Sequence, residues 1–106
     1  DLLKMEGVEA MSALWAISRE LDILLQIRYR MDQGESANQA IGSLRVWRSR
    51  EGLVRGAVNR LNLMQLRKLL TLCHETDRTI KGATQEPAWS MIKDILLILA
   101  GHPMTR

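Results

Sequence analysis

Phenylalanine is absent from this 106-residue chain, and only one tyrosine and one cysteine are present. Each scarcity excludes something. A single thiol, Cys73, cannot build an internal disulfide framework, and such usage fits a reducing compartment. Without Phe, the core has to be assembled from Leu, Ile, Val, Ala and Met, with three Trp available beside them. The longest apolar run, Ile95 to Ala100, is far too short to span a bilayer, so no membrane partner is expected. No strand pattern, internal repeat or low-complexity tract is visible. The opening DLLKMEG has neither an initiator Met nor a basic, apolar leader, and reads as the tail of a helix cut from a longer protein.

What is present is ordinary in amount and uneven in placement. A hydrophobic content of 46% and a charged content of 25% suit one folded domain over residues 1–106. A chain of this length buries roughly 65% of its unfolded surface. Net charge is +3. Residues 1–35 carry four bases and seven acids, residues 36–70 seven bases and one acid, and residues 71–106 four of each. The basic character therefore sits in the middle third, which permits contact with nucleic acid or an acidic partner without requiring either.

Helical periodicity dominates. Residues 1–5 read as a helix end, with Gly7 as its left-handed cap. From Glu9 to Met31, apolar residues recur at Met11, Leu14, Ile17, Leu21, Leu24, Ile27 and Met31, the spacing of a long amphipathic helix. Asp32-Gln33-Gly34-Glu35 interrupts it, and Ser36 is placed to cap a short helix to about Ser43. A further helix is predicted from about Trp47 to Leu61, where Gly52 and Gly56 could admit a close neighbouring helix. Asn62 caps the next, whose stripe of Leu63, Leu66, Leu69, Leu70, Cys73 and Ile80 ends at Gly82. Asp77 lies on or beside that stripe, as a boundary carboxylate paired with Arg78, Lys81 or another helix's base, or as a polar anchor at a subunit contact. Pro87 is expected at the first position of a last helix that is apolar all round and therefore central and buried. Gly101 ends it. The fold class is all-α, a compact bundle of about five to six helices.

Catalytic signals are sparse. His74-Glu75-Thr76-Asp77-Arg78 starts like a zinc-protease motif, but Arg78 stands where the second histidine belongs. Cys73 and His74 are about 100° apart on a helix and do not converge on one metal. His102 lies beyond the last helix, as a solvated tail residue. With no glycine-rich phosphate loop, nucleophile elbow or paired-carboxylate spacing, no catalytic residue, metal ligand or cofactor is assigned.

The segment RVWRSREGLVRGAVNR carries five arginines and one acid. On a continuous helix Arg45, Arg48 and Arg55 share a flank, and Arg50 and Arg60 point elsewhere. Three readings stand open: a solvated helix face, phosphate contact, and a charge-assisted protein interface. Sequence-specific DNA reading is disfavoured, because the preceding turn has no Gly and the helix lacks an Asn/Gln pattern for base edges. Trp15, Trp47 and Trp89 each fall on an apolar stripe, so core packing is expected of them rather than base stacking, as it is of Leu66 and Leu70.

Arg45-Val46-Trp47, Asn59-Arg60-Leu61, the Leu66/Leu69/Leu70 run, Ile80-Lys81-Gly82 and Trp89 opening the last apolar helix stand in the order of a known family. From about Leu44 to Pro103 the chain resembles the C-terminal domain of the bacterial DNA polymerase III delta subunit. The resemblance implies a collar-type domain: one helical wedge in a five-membered ring of a sliding-clamp loader, cytoplasmic and without ATP hydrolysis or polymerase chemistry of its own. It implies the gamma/tau and delta-prime subunits as partners, and primer–template DNA as a partner of the whole assembly. Clamp contact is implied only for an N-terminal module that this chain lacks. The family places no known contact at Arg45, Arg48 or Arg55, so these stay candidates with Arg50 and Arg60, with an acidic neighbour favoured over DNA and Trp47 as core. The competing reading is a non-specific nucleic-acid-binding module using Arg45–Arg60. A metalloenzyme fragment, which would need bound metal, is the third.

Overall fold

The computed structural model describes residues 2–82 and 85–101, with side chains placed for 9–82 and 88–101. Five α-helices and one 3-10 turn account for nearly all of them, and no strand occurs among the described residues. They are α1 (Leu2–Asp32), α2 (Ala37–Ser43), the 3-10 turn Arg48–Arg50, α3 (Glu51–Arg60), α4 (Leu63–Lys81) and α5 (Gln85–Leu99).

Helix α1 sets the long axis. Its 31 residues span about 46 Å at 1.5 Å per residue, close to the largest dimension of the 48 × 28 × 18 Å molecule. Its buried stripe is Ala10, Leu14, Ile17, Leu21, Leu24 and Ile27. The expected helix end at Glu6-Gly7 does not occur, for α1 runs through it. A mid-helix glycine costs about 1 kcal/mol against Ala, which an uninterrupted ladder of this length outweighs. His102 and Pro103 lie outside the described residues.

Helices α1, α4 and α5 form the main bundle. Arg28 of α1 reaches Val58, just before α4, whereas Ser18 of α1 hydrogen-bonds Cys73 in mid-α4, so α4 runs antiparallel to α1. Thr79 near the end of α4 meets Met91 early in α5, which makes those two antiparallel as well. Leu66, Leu69, Cys73, Thr76 and Ile80 of α4 are buried, and Leu70 is half-buried against the same core. Thr76 is fully buried with its hydroxyl donating to the Leu72 carbonyl (2.7 Å), so no polar group is left unpaired there. Asp77 sits at the boundary and pairs with Lys81 at 3.0 Å.

Two capping boxes start the helices where the sequence indicates. Ser36 and Gln39 exchange side-chain and backbone bonds at α2, and Asn62 and Gln65 do the same at α4. Helix α5 begins at Gln85, two residues before the expected start. Pro87 still falls in the first turn, where a missing N–H leaves no ladder bond unmade. Beyond α5, Gly101 has φ +105°, a left-handed conformation that favours glycine.

Two further expectations are corrected by packing. Gly52 faces open space and Gly56 meets only Arg60 of its own helix, at 3.3 Å from a built Cβ, so neither admits a neighbouring helix. Trp15, Trp47 and Trp89 are 66%, 77% and 38% exposed and are not core residues.

Candidate functional site

The arginine-rich segment is not one helix. Backbone turns sharply at Arg45, whose φ of +55° is left-handed, and Val46 and Trp47 belong to no helix. The 3-10 turn and α3 follow. Leu44 and Val46 pack against the core while Arg45 and Trp47 stand out in solvent, followed by exposed Arg48. The shared helical flank of Arg45, Arg48 and Arg55 therefore does not exist, because two of the three precede the helix.

The five arginines divide by what they hold. Arg50 Nη2 lies 2.6 Å from Glu20 Oε2 on α1, tying the 3-10 turn to the longest helix. Arg55 places Nε and Nη2 on Asn38 Oδ1 (3.1 and 2.7 Å), joining α3 to α2. Arg60 Nη2 donates to the Leu99 carbonyl at 2.8 Å and lies over Gly101, so it closes the C-terminal end of α5. The side chains of Arg45 and Arg48 have no hydrogen bond or ion pair among the described residues. Only these two, on either side of exposed Trp47, are available to a ligand.

Sequence reasoning missed a second surface. Helix α5 is not buried all round. Ala88, Ile92 and Ile95 face inward, with Leu99 half-buried on the same line. One residue further on, Trp89, Lys93, Leu96 and Ala100 repeat the same four-three-four spacing about 100° away, and all four are exposed. Leu97 widens this outer line and is also exposed. A signal existed: two interleaved sets with the spacing of a helix-packing seam. ILLILA shows both at once, and a helix at the edge of a small domain can bury only one.

Chemical potential elsewhere is low. Cys73 is buried and His74 exposed, and no group of three or more His, Cys, Asp or Glu side chains is arranged for a metal among the described residues. Burial pushes the Cys73 thiol up from its ordinary value, partly offset by the hydrogen bond with Ser18. A proton-bearing, enclosed thiol is a core residue and a poor nucleophile.

An all-helical wedge with one closed core, one unpartnered helix face and an exposed cation–aromatic turn defines a class of domain that works by packing against other molecules. The chain belongs to the family described as the processivity clamp loader gamma complex DNA polymerase III C-terminal domain, whose profile matches residues 1–106. It is 30% identical over 106 residues to the DNA polymerase III subunit delta of Escherichia coli (strain K12), covering 96% of this chain and 29% of that protein. It thus spans less than a third of the relative's length. The chain is thus a clamp-loader C-terminal domain of the DNA polymerase III delta type. No solved structure matches it. No described helix is long and apolar enough to cross a membrane.

Proposed function

We propose that residues 1–106 form the collar domain of a bacterial, cytoplasmic delta subunit, holding it in the pentameric clamp loader beside the gamma/tau and delta-prime subunits. Clamp contact then belongs to an N-terminal module outside this chain. The observation that carries the reading is the outer line of α5. Trp89, Leu96 and Leu97 of α5, with Ala100 just after it, expose apolar surface beside a line that is already packed. Such a contiguous stripe marks an interaction face, with an aromatic anchor and a flanking charge, Lys93, to set register. The test replaces Leu96 and Leu97 by Glu in the full-length subunit and measures assembly by light scattering on a size-exclusion column. Loss of co-elution with gamma/tau and delta-prime, with the unfolding midpoint unchanged, is the expected result. Full assembly of the double variant would refute it.

A second contact is favoured by the turn at Arg45–Arg48. Trp47 projects between two arginines whose side chains bind nothing else among the described residues, so the expected assignment of Trp47 to the core and of Arg45, Arg48 and Arg55 to one flank gives way to a narrower one. An indole offers a base a stacking surface worth about 1–3 kcal/mol, and arginines beside it take phosphates. We read this turn as a contact to primer–template DNA held by the assembled loader. A free-standing nucleic-acid module is not favoured, since Arg50, Arg55 and Arg60 are engaged within the fold. Trp47→Ala should weaken primed-DNA binding by the reconstituted loader about tenfold or more, and Arg48→Ala should reduce its salt slope by about one. Unchanged binding by Trp47→Ala, or transfer of the Arg48 effect to subunit assembly, would assign the turn to a protein partner instead.

A further inference from the structure

The exposed turn has little to hold it locally. Its 3-10 segment is three residues long, and Trp47, at its N-cap, makes no side-chain capping bond. Arg45 occupies a left-handed conformation that costs a non-glycine residue about 1 kcal/mol or more. Such a conformation persists only where its surroundings over-determine it. Leu44 and Val46 supply apolar anchors on the inner side. The polar anchor is Arg50, and it acts twice. Its amide donates to the Trp47 carbonyl at 2.8 Å, while its guanidinium lies 2.6 Å from Glu20 of α1. The Glu20 side chain is three-quarters buried and the Arg50 side chain half-exposed, so the carboxylate is the fixed end of the pair.

We infer that Glu20, acting through Arg50, is a positioning residue for Trp47. The chain of contacts runs from the longest helix, α1, through an ion pair to one residue, and through that residue's backbone to the peptide that carries the indole. Glu20 touches neither Trp47 nor anything Trp47 binds. Its role is to keep the turn in one conformation, so that stacking on Trp47 does not first require ordering it. The inference rests on the reading of Trp47 as a nucleic-acid contact.

The test has two independent arms. Native-state hydrogen exchange on the full-length subunit reads the Arg50 and Glu51 amides, which bond to the Trp47 and Arg48 carbonyls. In Glu20→Ala both should exchange about 2- to 5-fold faster, the size expected for loss of a partly exposed ion pair. Amides at the centre of α4 should not change. The swap Glu20→Arg with Arg50→Glu should recover much of the protection. Equal exchange in Glu20→Ala and wild type overturns the inference. The second arm measures primed-DNA binding by the reconstituted loader. Glu20→Ala should weaken it on its own and add nothing to Trp47→Ala, because both act through the same side chain. An equal further loss in the Trp47→Ala background overturns the inference. A neutral Trp47→Ala sinks the DNA-contact reading alone, and the exchange arm then still decides whether Glu20 orders the turn.

Discussion

Cys73 and Arg45 are opposites at the scale of a single residue. Cys73 is enclosed, and burial raises its thiol above its ordinary value of 9.0. Unfolded chain then releases the proton at a lower pH than the native protein does. The native state binds more protons through that window, so the thiol's contribution is intact below pH 9 and declines as pH rises through the folded value. Cys73→Ala should flatten the fall in stability between pH 8 and 10, measured by urea unfolding at several pH values. Alkylation of the native thiol should follow the opening of the fold rather than thiolate chemistry. Arg45 is exposed and strained. Arg45→Gly relieves the left-handed conformation against a larger loss of chain entropy. The expected outcome is a stability equal to wild type or about 0.5 kcal/mol higher, read from the same urea curves. Substitution by Val should cost more than by Gly, since a branched side chain tolerates positive φ least.

Helices in this domain are closed at their ends by polar groups, several from distant segments. The Asn62–Gln65 box opens α4, the helix buried between α1 and α5, so its loss is felt by the whole bundle. Asn62→Ala should lower stability by about 1 kcal/mol. Ser36→Ala removes the same type of box from seven-residue α2 and should lower protection of the α2 amides before it lowers the global midpoint. C-terminal ends rely on arginines from elsewhere. Arg28 Nη1 donates to the Val58 carbonyl at the end of α3 (2.9 Å), and Arg60 closes α5. The Arg28 Nε lies 3.2 Å from Asp32 Oδ1 but makes no hydrogen bond to it, so the value of Arg28 lies in the carbonyl it caps. Likewise Arg30 donates to the Ser43 hydroxyl, linking the ends of α1 and α2.

Over the whole molecule, the buried core and the proposed assembly surface fall on different faces of the same helix. Ile92 is buried on the inner line of α5, and Ile92→Ala should cost about 2–5 kcal/mol through lost contacts and a residual cavity. Leu96 is one packing line away and half-exposed, and Leu96→Ala should change the midpoint by under about 0.5 kcal/mol while weakening subunit association. Thermal unfolding of both variants, set beside their elution with partner subunits, separates the two roles. A domain this narrow, 18 Å in its shortest dimension, cannot enclose both apolar lines of its last helix. The second line is free to meet another molecule.

The amino-acid order by itself determined most of the helices, the caps at Ser36 and Asn62 and most of the core. Leu14, Leu21, Leu24 and Ile27, the Leu66-to-Ile80 stripe, and the Ser36 and Asn62 caps all follow from spacing and local hydrogen bonding, which act within a few residues. The Asp77–Lys81 pair is equally local. Only the tertiary structure decided which apolar residues face out. Trp15, Trp47 and Trp89 are as hydrophobic as their neighbours, and their exposure depends on how many helices surround each line. The arginines were divided the same way. Arg50, Arg55 and Arg60 find Glu20, Asn38 and Leu99 at separations of 30, 17 and 39 residues, leaving Arg45 and Arg48 beside Trp47. Periodicity records which side of a helix is apolar. Whether that side is covered depends on contacts between segments distant in the chain, which no local pattern encodes.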